Sequence, residues 1–347
     1  MNLSRRVHRL DTRMRTRGSV VQRAARLFAC VIACVLACTT AGGTLAQGYP
    51  SKPIRIIVPF PPGGVNDNAG RAIAQALQQL WGQPIVIDNR TGANGNIGME
   101  ACAKSPPDGY TVCFPTGVIL ALNPFAYSKM PFEPLDLIPV IHIGTLDQAL
   151  VVNSSVPVNN VRELVEYGRS HPGELSFASL GIGSTAHLYS EWFHAKTGAK
   201  FTHVPYKGSP QLIQAVAAAE VHISTNTPAV VQPFIKAGKL RLLGVVAEKG
   251  NRSPLFPDVP TLSEQGFDLN FRNWLALYLP AGTPAEIARR WNIEVNRLLA
   301  ERAWVERFIA SQAVTATGGT PDFLVTYLKS NRDMARELVK IANLRLD

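Results

Sequence analysis

The chain has 347 residues, 46% of them hydrophobic, enough for two domains with substantial cores. Its net charge of +10 is concentrated at one end: residues 1–46 carry eight Arg, one Asp and no Lys, and without them 27 basic residues face 24 acidic ones. The remainder is nearly neutral and has no dense Lys/Arg run, which excludes nucleic acid as a partner. Taken in chain order, Leu27–Cys38 is an unbroken apolar run of 12 residues, too short to span a bilayer. Thr44-Leu45-Ala46 then places small residues at the −3 and −1 positions of a signal-peptidase site. Residues 1–46 read as a cleavable secretion signal, which takes the mature chain out of the cytoplasm. Met1 and Met14 both remain open as the start, and Val35-Leu36-Ala37-Cys38 resembles a lipoprotein box, so a lipid on Cys38 is the competing reading.

Beyond the signal, short β-rich runs alternate with helical periodicity, the pattern of an α/β fold with largely parallel sheets. Strands are predicted at 54–58, 84–88, 110–114, 148–152, 175–179, 201–205, 221–225, 240–246 and 273–279. Helices are predicted at 67–81, 96–104, 160–170, 185–197, 209–219, 229–237, 284–300, 302–311 and 321–341. Thr283-Pro284-Ala285-Glu286 reads as a capping box with Pro at the first helical position. The passage from Ile54 to Gly82 is the most informative: an apolar strand, a Pro/Gly loop at Pro59–Gly64, and a helix for which Asn66 or Asp67 is the expected cap. Such a loop directs unpaired backbone N–H groups and a positive helix end at one point, which suits an anion.

Cys30, Cys34 and Cys38 lie in the signal, leaving Cys102 and Cys113. Their spacing fits no metal site and no His lies between them, so no metal is expected. Two unpaired, buried thiols are favoured over a disulfide between a helix and the following strand.

The segments YPSKPIRIIVPFPPGG, GQPIVIDNRTGANGNIG, SPPDGYT, VPYKGS, IKAGKLR, FPDVPTLSEQGF and PAGTP follow one another in order. Together they resemble the substrate-binding proteins of tripartite tricarboxylate transporters, the Bug receptors, over roughly residues 49 to 345. The resemblance implies a two-domain periplasmic-binding-protein clamshell, type II-like, with mixed, mainly parallel sheets and a two-strand hinge. Domain 1 is placed at 47–148 plus 279–347 and domain 2 at 149–278, an arrangement that periodicity alone does not settle. The Ala46 cleavage site directly precedes the Tyr-Pro start of the resemblance and is preferred to lipidation for that reason. The implied function is capture of a small carboxylate and delivery to integral-membrane transporter subunits on separate chains, by a monomer that uses no cofactor.

Loops at strand C-termini are where open α/β sheets bind ligands. The first candidates are Phe60, Pro61, Gly63, Gly64, Val65 and Asn66, with glycines that admit a ligand to the backbone and an amide that can donate. Thr116 and Gly117 follow the third predicted strand. Ser179, Gly183, Ser184 and Thr185 form a strand-to-helix turn with hydroxyl donors. Tyr206 offers a wall with a polar tip, and Asn226 stands near a position that is commonly Asp in the family. His187 is expected to be structural.

No G-x-S-x-G elbow, H-E-x-x-H pair, Walker loop or dinucleotide fingerprint is present, so no enzyme activity is expected. A sensor subunit for a membrane kinase and a secreted enzyme on the same fold are the competing readings. Val65, Ile119, Leu180 and Ile182 stand where the family is usually more polar, which points to a carboxylate with an apolar, aromatic or aliphatic, body rather than citrate or aspartate.

Overall fold

Ile54–Val58 forms β1, buried except at Arg55. Its apolar run suits a strand covered on both faces. It pairs in parallel with β2 (Ile85–Asn89) and β3 (Thr111–Cys113). Between β1 and β2 runs α1 (Val65–Trp81), whose Ala69, Ala72, Ile73 and Leu77 form the buried stripe. Gly82 ends it at φ 67°, a left-handed cap that glycine adopts without strain. Helix α2 (Asn96–Ala103) connects β2 to β3. A π-helical turn at Val118–Leu122 and the short α3 (Asn123–Ala126) follow β3. The computed structural model describes residues 48–346 other than 248, 249, 251, 254, 270 and 313, so the signal segment, with Met14, Cys38 and the Ala46 site, lies outside the described residues. Lys52–Asp347 constitute one unit, which holds both sheets and their helices.

β4 (Ile138–Leu146) leads directly into β5 (Gln148–Asn153), and the two belong to different sheets. The second sheet also contains β6 (Ser176–Ser179), β7 (Thr202–Pro205), β8 (Ile223–Asn226) and β9 (Leu240–Val246), in the order β7-β6-β8-β5-β9. Its helices are α4 (Val161–Ser170), α5 (Thr185–Thr197), α6 (Ser209–Ala217) and α7 (Pro228–Lys236). The chain then returns to the first sheet as β10 (Asn273–Leu279), antiparallel to β3 and β4. After α8 (Ala285–Ala300) and α9 (Arg302–Phe308), β11 (Val314–Ala316) completes the order β11-β4-β10-β3-β1-β2, and α10 (Pro321–Ile341) ends the fold. Each sheet thus joins a parallel triplet, β3-β1-β2 or β7-β6-β8, to antiparallel strands. Residues 273–278, expected from the sequence in the second domain, pair in the first sheet.

Three local features differ from expectation. β4 is absent from the predicted strands because Pro139, His142 and Gly144 interrupt its sequence pattern. Gly144 is needed there, since a Cβ would collide with the Thr315 carbonyl of β11. At α8 no capping box forms: Pro284 occupies the cap position and the Thr283 hydroxyl donates backward to the Pro280 carbonyl at 2.7 Å. Cys102 and Cys113 are joined by a disulfide, Cα–Cα 5.7 Å, because α2 lies directly against β3. The expectation of free thiols is corrected on that point.

His142 is fully buried on β4, with the rings of Tyr327, Trp274 and Phe323 centred 4.6–5.8 Å away. Neither ring nitrogen has a hydrogen-bond partner among the described residues. Burial, aided by the Arg272 charge, pushes its pKa down to about 4. Above pH 6.5 the imidazole is neutral folded or unfolded, and nothing is lost. Between about 6.5 and 4 the unfolded chain takes up a proton that the native state refuses, so stability falls with pH, by about 2 kcal/mol at pH 5. Urea melts at pH 7.5 and 5.0 should show this difference, and His142→Phe should remove most of it. Equal pH sensitivity in that variant would disprove the assignment.

Candidate functional site

The Pro/Gly loop after β1 is built around Asp67. Its carboxylate accepts from the Gly63 N–H (2.9 Å), Arg71 Nε (2.8 Å) and Asn89 Nδ2 (2.9 Å). Burial pushes this carboxyl up, yet the hydrogen bonds from Arg71, Gly63 and Asn89 outweigh it and hold the pKa below its ordinary value. Asp67 therefore fixes the loop and is two residues inside the helix. The cap position belongs to Gly64, which supplies no side-chain acceptor. Phe60 packs against the core, its carbonyl bonded to Asn89 Nδ2 at 3.0 Å, while Pro61, Gly63 and Gly64 are exposed and Val65 is half-buried. Gly63 takes φ 82°, which its lack of a Cβ permits. Asn66 is buried, and its Nδ2 has no partner among the described residues.

Thr116, just past β3, pairs with Leu275 of β10; it is 1% exposed and its hydroxyl has no partner among the described residues. Gly117 lies so close to the Trp274 indole that any Cβ would collide with it. Asn273 Oδ1 accepts the Val118 N–H at 3.2 Å and holds the start of the π-helical turn. Ile119 is fully buried and packs on Gly95, so it belongs to the core rather than to a ligand wall.

In the second sheet, Ser179 Oγ lies 2.5 Å from His203 Nε2 and accepts from the Gly181 N–H at 3.0 Å. Ser184 caps α5 by accepting from the His187 N–H, with Thr185 as the first helical residue. The Gly183 N–H points at His187 Nδ1, 3.4 Å away. The His187 and His203 rings stand 4.5 Å apart; burial lowers both pKa values, and the His187 charge lowers that of His203 further. The hydroxyls of Ser179 and Ser184 are thus already engaged, the first with His203 of β7 and with Gly181, the second at the start of α5. Leu180 and Ile182 are 53% and 67% exposed. The Tyr206 N–H donates to the Ser179 carbonyl at 2.8 Å and its ring packs on the second sheet's core. Asn226 Oδ1 accepts from Ser209 Oγ at 2.8 Å, but its Nδ2 has no partner among the described residues. The hydroxyls of Ser224 and Thr225 share that condition. The sequence reading takes Ser224-Thr225-Asn226-Thr227-Pro228 as a loop and singles out Asn226 alone; Ser224 and Thr225 instead lie with it in β8, a strand buried at every position, and that run of three polar residues was the signal available.

Strand register relates the two halves. Thr116 pairs with Leu275, which pairs with Gly144 on β4; Asn226 pairs with Ala149 on β5. Gly144 and Ala149 are five residues apart, no more than about 18 Å along the chain. Thr116 and Asn226 therefore lie to either side of the passage through Asp147. The helices that follow β1, β7 and β8 begin at Gly64, Gly208 and Thr227, and none of the three has a side-chain cap. Side-chain caps are lacking at α2, α3, α8 and α9 as well, whereas α4, α5 and α10 are capped by Asn160, Ser184 and Thr320. Unpartnered donors beside uncapped helix N-termini can bind a negatively charged oxygen. Among the described residues, no group of His, Cys, Asp and Glu could hold a metal ion, and no helix is long and apolar enough to cross a membrane.

Residues 69–333 match the profile of the "Tripartite tricarboxylate transporter family receptor". The chain belongs to that family. The protein BugT of Bordetella pertussis is 38% identical to the receptor over 308 residues, spanning 86% of this chain and 91% of BugT. A solved structure described as R. palustris Rpa4515 with adipate is 33% identical, with TM-score 0.74, over 86% of this chain and 99% of that one. Another, MatC (Rpa3494) from Rhodopseudomonas palustris with bound malate, is 25% identical, with TM-score 0.70, over 84% and 100%. The two mixed α/β sheets of the receptor are thus those of solved periplasmic binding proteins.

Proposed function

We propose that this receptor works in the periplasm, capturing a small carboxylate between the two sheets and delivering it to separate membrane transporter subunits. The observation that carries the reading is the set of buried, unpartnered donors, Asn66 Nδ2, Thr116 Oγ1 and Asn226 Nδ2, at the C-terminal ends of parallel triplets and beside uncapped helix N-termini. A buried polar group without a partner costs about 1–3 kcal/mol, a cost that a bound carboxylate relieves. We divide the chain where it passes between sheets, at Asp147 and just before Asn273, with the ligand closing one half upon the other. Adipate and malate in the two solved relatives make a dicarboxylate the first class to test. Ile119 no longer supports an apolar ligand body, whereas the exposed Leu180 and Ile182 and the half-buried Val65 still favour an aliphatic chain over a hydroxylated one.

Thr116→Val and Asn66→Leu test the site. Each removes a donor that is unpartnered in the free protein, so stability without ligand should hold steady or rise. Each should also remove a charge-assisted hydrogen bond worth about 1.5–3 kcal/mol, weakening adipate at least ten-fold in calorimetry. Full affinity in both variants would refute the site. Citrate raising Tm more than adipate would refute the aliphatic ligand.

A further inference from the structure

A cavity of about 400 Å³ lies away from these loops, between the segment leading into β4 and the outer face of α10. That size is within the range of small-molecule pockets. Its wall is apolar: Leu135, Leu137 and Pro139 on one side, Val325 and Leu328 on the other. Leu135 and Val325 are 61% and 52% exposed, large hydrophobic side chains held open to solvent on facing elements. The Tyr278 ring lines the inner wall; the residue is 2% exposed and its hydroxyl has no hydrogen-bond partner among the described residues. The rim is cationic. Lys329 has no ion-pair partner among the described residues. Arg332 is half-buried, donates to the Leu120 carbonyl at 3.0 Å and lies over the Phe125 ring. Arg336 also lies over Phe125 and bonds Asp333 at 3.0 Å, so one carboxylate on the rim, with Glu133 further off, faces three cations.

We propose that this cavity is a second binding site, for a single-headed aliphatic carboxylate of medium chain length. The chain would lie against Leu137, Pro139 and Leu328 and cover Leu135 and Val325, whose exposure to water is otherwise unfavourable by about 25 cal/mol per Å². The headgroup would pair with Lys329 and Arg332 on the rim. Charge decides the class: the excess of cations on the rim favours an anion, and the wall of Leu135, Leu137, Pro139, Val325 and Leu328 exposes no donor for a second polar end, since the Tyr278 hydroxyl is itself closed to solvent. A dicarboxylate fits the first site and a monocarboxylate the second.

Titration calorimetry of the full chain with decanoate, octan-1-ol and adipate tests the proposal. Decanoate should bind with one-to-one stoichiometry, and octan-1-ol at least ten-fold more weakly. Val325→Asp, at an exposed position that leaves the core untouched, and Lys329→Glu should each weaken decanoate at least ten-fold without altering the adipate response. Thr116→Val should leave decanoate binding unchanged, so this site is judged independently of whether adipate binds at all. No saturable decanoate binding, equal binding in Val325→Asp, or its loss in Thr116→Val would each overturn the proposal. The last result would mean that the acid had entered the first site.

Discussion

Replacing Arg272 with Met should destabilise the receptor by about 3–5 kcal/mol, measured by urea unfolding at pH 7.5. Arg272 stands where the chain re-enters the first sheet and Asp147 where it leaves; both are buried, and Arg272 Nη1 lies 3.4 Å from Asp147 Oδ1. Thr315 Oγ1 donates to the other carboxylate oxygen at 2.7 Å. Next to Arg272, the Phe271 carbonyl accepts from the buried Tyr189 hydroxyl of α5. Without the guanidinium, Asp147 keeps one hydroxyl donor and loses its charge partner in a site closed to water. The large cost is that of an unpaired buried charge, not the net worth of the pair. The double variant Asp147→Leu/Arg272→Met should therefore recover most of the loss. If the single variant unfolds with the parent midpoint, the pair does not fasten the two passages together.

The pair also constrains the proposed closure. Both passages between sheets are short of freedom at this point, because Asp147 is held from the second passage by Arg272 and from β11 by Thr315. Rotation of one half against the other must then take place in the residues flanking the pair, with the pair as a fixed pivot. The double variant, though restored in stability, should accordingly bind adipate more weakly than the parent, since the open state would sample more orientations.

Elements whose periodicity is uninterrupted were legible residue by residue: β1, β9, β10, α5 and α10 have their expected bounds. Three of these have a clear boundary signal: Pro280 after β10, the Ser184 cap and Gly198 stop around α5, and the Thr320-Pro321 start of α10. β4 was not legible, because its Pro139, His142 and Gly144 answer to tertiary demands, a bulged pairing with β10 and contact with β11. The π-helical turn at Val118–Leu122 was legible as apolar and not as core or cleft wall; its burial at all five positions follows from packing against α10, which lies about two hundred residues away. The turns carrying Asn66, Thr116 and Asn226 could be placed at strand ends from sequence. Which of their polar atoms are already engaged could not, since Ser179 is satisfied by His203 and Asp67 by Asn89, partners that only the fold brings near, even though the Asp67–Arg71 pair has helical i,i+4 spacing.

Cys102→Ser/Cys113→Ser should lower stability by about 3 kcal/mol relative to the oxidised parent. The bond closes a short loop, with the two cysteines 11 positions apart, and that figure is the chain entropy such a closure removes from the unfolded state. Both sulfurs are fully buried, Cys102 on α2 and Cys113 at the end of β3, so the double variant also places two hydroxyls in an apolar core. The double alanine variant separates the terms: it keeps the loss of the crosslink without introducing hydroxyls, and it should fall by a similar amount or slightly less. Cys113 pairs with Ile57 and with Tyr278, and three residues later the chain reaches Thr116. The crosslink therefore anchors the strand that carries a proposed ligand donor. Because β3 is also held by β1 and β10, its register should survive, and adipate affinity in the folded variant should stay within about two-fold of the parent. The urea midpoint and the adipate titration together decide the point. An unchanged midpoint would show that the bridge contributes nothing to stability, and a large loss of affinity would show that the loop, not only the core, depends on it.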